Sequence, residues 1–216
     1  MNNYNLNNKL INIHGLHEIH ISIDPSQIFE FKIFCNKRKY KCIFPVAFNG
    51  VNKNQLMLSK WKTGTSLSSI QKANEIEAEL KDNNIRVHRV KVEAMMHNKG
   101  VPEDENNLCL PYNYFEYHLK MIINNIDMIK NISYIMELFK NEHPDIKCAI
   151  SFNCFRENIK LLITLRLKGE WGSNKCEKYK DIFIDFIESK GIHFEGEIQK
   201  EFEVYDNNVS YDNGWL

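Results

Sequence analysis

No stretch of this chain approaches the roughly 18 to 20 consecutive apolar residues that a membrane-crossing helix needs, so no membrane partner is expected. Neither sign of charge is in excess: 28 Lys and Arg face 28 Asp and Glu, and no global field draws the chain to nucleic acid or anionic lipid. No pair among the six cysteines (Cys35, Cys42, Cys109, Cys148, Cys154, Cys176) has CxxC spacing, which argues against a cysteine-built zinc site. Met1 to Asn8 lacks the apolar core of a secretory signal, so reduced thiols in the cytoplasm are expected. A Gly-rich phosphate loop, a nucleophile elbow and a His-Glu-x-x-His pair are all missing. No cofactor is expected on these grounds, while a divalent metal stays open.

What is present is a short motif that occurs twice. Glu18-Ile19-His20-Ile21-Ser22-Ile23 and Glu116-Tyr117-His118-Leu119-Lys120-Met121 both read Glu, apolar, His, apolar, polar, apolar. Strict alternation marks a β-strand with one polar and one apolar face, and it puts each Glu on the same face as its His.

The order of elements repeats around these motifs. Strand, helix, strand, strand, helix, strand is legible from about residue 16 to 97 and again from 112 to 206. In the first half, Asp24-Pro25 opens a helix to about Cys35, and residues 42–48 make a strand. Asn49-Gly50 signals a hairpin with a lengthened loop before a strand at 56–62. A helical stripe (Ile70, Ala73, Ile76, Leu80) then leads to a strand at 87–95. In the second half, strands are expected at 115–123, 147–152, 159–168 and 194–205. Helical stripes run through Ile129, Ile132, Ile135, Met136 and Phe139, and through Tyr179, Ile182, Phe183, Phe186 and Ile187. The expected fold is therefore α+β: two ferredoxin-like βαββαβ units arising by duplication and forming two lobes with antiparallel sheets. The boundaries are a disordered tail at 1–12, a first unit at 13–97, a linker at 98–111, a second unit at 112–206 and a C-terminal tail at 207–216.

The polar faces of these strands are heavily charged. Arg89, Lys91 and Glu93 share one face; Glu116, His118 and Lys120 a second; Thr164, Arg166 and Lys168 a third; Glu201 and Glu203 a fourth. Such faces are either solvated, with weak cross-strand ion pairs, or they meet in a polar cleft. In the cleft reading His20 and His118 carry out proton transfer. Ser22, Lys91, Lys120, Arg166 and Lys168 hold phosphate, and Glu18, Glu93, Glu116 and Glu203 support them. Asp206 and Asp212 in the tail could join the site.

Two units, each with a strand histidine in a His-φ-[Ser/Thr]-φ pattern, are the plan of the two-histidine phosphoesterases, which His20-Ile21-Ser22-Ile23 resembles. The resemblance implies phosphodiester chemistry on a nucleotide, a phosphorylated small molecule or an RNA end, with one His as general base and the other as general acid. The second copy departs from it: Lys120 stands where that family has Ser or Thr. Glu116-Tyr117-His118-Leu119-Lys120 also resembles the Glu-x-Glu-x-Lys strand of CYTH-type triphosphatases, which implies a triphosphate and a divalent metal. The non-enzymatic alternative is a duplicated module that binds a ligand or a protein.

Overall fold

The computed structural model describes residues 12–107, 109–110, 112–123, 128–155 and 160–216. The expected N-terminal tail up to residue 11 lies outside these, as do two positions of the expected linker. Among the described residues no helix is long and apolar enough to cross a membrane.

The first half runs β1 (His14–Ile23), α1 (Ile28–Arg38), β2 (Lys41–Ile43), β3 (Pro45–Ala47), β4 (Met57–Thr65), α2 (Ser66–Asp82) and β5 (Val87–Met95). The second runs β6 (Tyr114–Ile122), α3 (Met128–Glu142), β7 (Lys147–Asn153), β8 (Lys160–Lys168), α4 (Gly172–Glu188) and β9 (Glu195–Asp206). Local chemistry places the ends. Asp24 Oδ1 accepts from the Ser26 backbone N–H at 2.9 Å to start a short 3-10 turn at Pro25. Thr65 caps α2 in a reciprocal box with Ser68. The three N-terminal residues of the expected stripe on α4 divide: Phe183 is buried, Tyr179 is partly buried and Ile182 faces solvent.

The nine strands of the described residues form one antiparallel sheet in the order β2-β4-β1-β5-β9-β6-β8-β7-β3. Each half contributes the same internal arrangement, and the two are fused where β5 pairs with β9. The expected separation into two lobes thus gives way to one sheet.

The sheet also closes. Its two edge strands, β2 on β4 and β3 on β7, are successive pieces of one chain segment with only Phe44 between them. The Phe44 backbone N–H donates to Asn153 Oδ1 at 3.2 Å, and its carbonyl accepts from the Cys154 N–H at 3.0 Å. A single bent segment therefore bridges both edges and makes a barrel, which removes the exposed edges an open sheet would present. The strand expected at 42–48 is real but broken in the middle. The Asn49-Gly50 signal belongs to the loop that brings the chain back from β3, beside β7, to β4.

Closure explains the two faces. Ile19, Ile21, Val90, Val92, Phe115, Tyr117, Ile163 and Leu165 point outward and are completely buried under the helices. Here α2 packs on β1, β4 and β5, and α4 on β6 and β8. The alternate residues point into the barrel. The charged faces are not solvated surfaces but the lining of the lumen.

Candidate active site in the barrel lumen

A cavity of about 240 Å³ occupies the lumen. His20 and Glu18 reach it from β1, Arg89, Lys91 and Glu93 from β5, Glu116 and His118 from β6, Thr164 and Arg166 from β8, and Glu201 from β9. Because β1 and β6 occupy equivalent places in the two halves, the paired motifs deliver both histidines to one chamber.

Their surroundings differ. His118 Nδ1 lies 3.1 Å from Thr164 Oγ1, and its Nε2 lies 3.0 Å from Glu201 Oε2 and 3.7 Å from Glu116 Oε2. Burial alone would lower its pKa, but Glu201 and then Glu116 outweigh burial and raise it above the usual imidazole value. His20 Nε2 is 3.5 Å from Glu93 Oε2 and 3.7 Å from Glu18 Oε1, while its Nδ1 is buried without a hydrogen-bond partner among the described residues. For His20 burial wins over the attraction of Glu18, and its pKa falls.

Between them runs a buried ion network. Lys91 Nζ donates to Glu116 Oε2 at 3.0 Å and sits 2.8 Å from Glu93 Oε1. Arg166 Nε donates to Glu116 Oε1 at 2.8 Å. Burial pushes the Glu116 carboxyl up, but Lys91 and Arg166 hold it well below the usual range. Glu93 goes the other way: burial, aided by Glu201 and Glu116, raises it well above that range despite Lys91. Gln199 Nε2 donates to both Glu18 Oε2 and Glu201 Oε1 at 2.8 Å, and Ser59 Oγ donates to Glu18.

The predicted site residues do not all converge. Ser22 and Lys120 line the cavity, Lys120 from its rim along with the exposed Lys41 and the half-buried Lys160. Lys168 does not belong to it. It lies at the outer end of β8, exposed, and its Nζ is held 2.6 Å from Asp145 Oδ1 in the turn before β7. Alternation assigned Lys168 to the inner face but could not show that this end of β8 lies beyond the cavity. Glu203 is fully buried on the lumen side of β9, away from the cavity surface, where its Oε2 accepts from Asn113 Nδ2 at 3.1 Å.

Several neighbours of the cavity lie outside the predicted set. Glu201 and Arg89 were on charged faces and could have been counted with the site by alternation alone. Asp206, already named as a possible member of the site, is not placed there by alternation: a bulge opposite Val92 and Glu93 puts both Val204 and Tyr205 on the outer face. Asp206 thereby turns inward, and its carboxylate grips Arg89. Gln55 and Trp215 come from a loop and the tail, which carry no period to read. Among the described residues, no three His, Cys, Asp or Glu are grouped so as to hold a metal ion.

No family model matches the chain, and no curated protein matches it. Among solved structures it is similar to a heme-binding protein from Thermus thermophilus, with 11% identity over 89% of this chain and 92% of that one, at a TM-score of 0.31. It is also similar to a mutant chlorite dismutase from Candidatus Nitrospira defluvii, with 7% identity over 91% and 94% at TM-score 0.31. The chlorite dismutase of the same organism in complex with imidazole gives 6% identity over 88% and 91%, again at 0.31. Likenesses this slight carry no inference about ligand or reaction here.

Proposed function

We propose that this chain is a phosphodiester-processing enzyme acting on a nucleotide or an RNA end, built by duplication of a βαββαβ unit, with His20 as general base and His118 as general acid. One observation carries the reading: two histidines from equivalent strands face one cavity, and their surroundings push their proton affinities in opposite directions. A pair of titratable groups driven apart in this way suits acid-base work, since one is biased towards its neutral form and the other towards its protonated form. In hydrolysis of a cyclic phosphodiester, neutral His20 removes a proton from water as its oxygen attacks phosphorus. The P–O bond to the leaving hydroxyl breaks, and His118 supplies that oxygen with its proton. Lys41, Lys120 and Lys160 at the rim would draw in the anion and offset the charge on the non-bridging oxygens.

The test is turnover of a 2′,3′-cyclic nucleotide and of an RNA oligonucleotide ending in a 2′,3′-cyclic phosphate. His20→Ala and His118→Ala should each slow the reaction by about 10² to 10⁴ while the circular dichroism spectrum is unchanged. Full activity in the double variant, or no turnover by the unmodified protein, sinks the proposal; tight binding without turnover favours the binding-module alternative. A second reading has its own support. Carboxylates and cations alternate around the inside of a closed antiparallel barrel, as the CYTH resemblance implies for a triphosphatase. Triphosphate hydrolysis that requires manganese and is lost in EDTA would select it.

A further inference from the structure

The C-terminal segment enters the barrel. A short 3-10 turn at Val209–Asp212 places the Asp212 carboxylate, 2% exposed, between two buried guanidinium groups. Arg89 Nη1 donates to its Oδ1 at 2.9 Å and Arg166 Nη2 to its Oδ2 at 2.6 Å, while Gln55 Nε2 donates to Oδ1 at 3.2 Å. The Tyr114 ring lies beneath the Arg166 guanidinium at 4.0 Å, and its hydroxyl is 3.3 Å from Arg89 Nη2. Arg89, Arg166, Gln55 and Asp212 all line the cavity that holds the histidines.

We propose that Arg89, Arg166 and Gln55 form an oxyanion-binding subsite, and that Asp212 is its exchangeable intramolecular occupant, a stand-in for a phosphoryl group. Three donors from three different elements converge on one anion, and that anion comes from the only one of these segments that is not barrel wall or its connecting loop. Two fixed guanidinium forks are the geometry that recognises a tetrahedral oxyanion. Trp215 closes over the same cavity with its indole Nε1–H buried and, among the described residues, unpaired. An unsatisfied donor in the seal weakens it, as an exchangeable plug requires. Arg89 and Arg166 keep Asp206 and Glu116 as partners when Asp212 leaves, so the arginines stay in place for an incoming anion.

This subsite rests on the phosphoester reading and deepens it by locating where substrate oxygens are held, but it is read by binding rather than turnover. Titration calorimetry with inorganic phosphate, and separately with adenosine 3′-monophosphate, tests it on the full chain. Asp212→Asn should tighten binding of both by roughly tenfold or more, because a competing internal ligand is weakened. Arg89→Gln in that background should abolish the gain, and His20→Ala with His118→Ala should leave it intact. In the unmodified protein, saturating adenosine 3′-monophosphate should release hydrogen-exchange protection at residues 209–216. A folded Asp212→Asn variant with unchanged affinity overturns the proposal. If that variant does not fold, unaltered protection of 209–216 under saturating anion overturns it instead.

Discussion

Glu203 shows what the lumen does to a single carboxyl group. Burial pushes its pKa up to about 8, with only partial relief from Asn113, so at neutral pH the folded protein holds a proton there that the unfolded chain has released. The sign follows by linkage. The folded state binds more protons between the ordinary carboxylate pKa and 8, so this contribution is complete below about pH 4.5 and is lost as pH rises through 8. Glu203→Gln, which keeps a neutral side chain of the same shape, should flatten the decline of the urea midpoint between pH 5 and 8. A variant whose profile still tracks the parent's would show that Glu203 is ionised when folded. His17 acts in the opposite direction. It is completely buried on the outer face of β1, and burial lowers its pKa against a smaller opposing contribution from Gly15. Its folded form resists protonation, so stability present above about pH 6.5 is lost as pH falls. His17→Leu should reduce that acid sensitivity in the same titration.

Elements divide into those whose physics is local and those whose partners are remote. The strand at Val87–Met95 was legible to the residue, because its alternation of polar and apolar residues is a local signal. The start of α2 was equally local, and it yields a prediction. Thr65→Ala removes the hydroxyl that accepts from the Ser68 N–H at 3.1 Å, and should cost about 1 kcal/mol without disturbing the lumen. A loss indistinguishable from zero in chemical denaturation would mean Ser68 holds the turn alone. The break at Phe44 was not legible. β3 is stabilised by β7, whose residues lie about a hundred positions further along, and Pro45 is tolerated at the first position of β3, where its carbonyl still accepts from the Gln55 N–H at 2.9 Å. The histidine pair was legible as a shared strand pattern. That both rings enter one chamber was not, because it depends on closure.

At the scale of the molecule, closure determines how the protein should unfold. The lumen is held by bonds that cross from one half of the chain to the other. Lys91 reaches Glu116, Arg89 reaches Asp206 and Asp212, and Gln199 reaches Glu18. Opening the barrel between β5 and β9 leaves these charges in a partly dry wall without their partners. Leaving one member of a buried ion pair uncompensated typically costs about 3 to 5 kcal/mol. A state with one half folded and the other unfolded therefore loses several such pairs as well as the β5–β9 pairing, and should not be populated. The repeat of βαββαβ order would suggest two independently folding units, whereas the shared lumen requires one. Native-state hydrogen exchange across a urea series distinguishes them. The slowest amides of β1 and β5 should merge with those of β6 and β8 into a single global isotherm, of one free energy and one urea dependence. Two isotherms, separated by half of the chain, would show that the barrel opens along its seams before it unfolds.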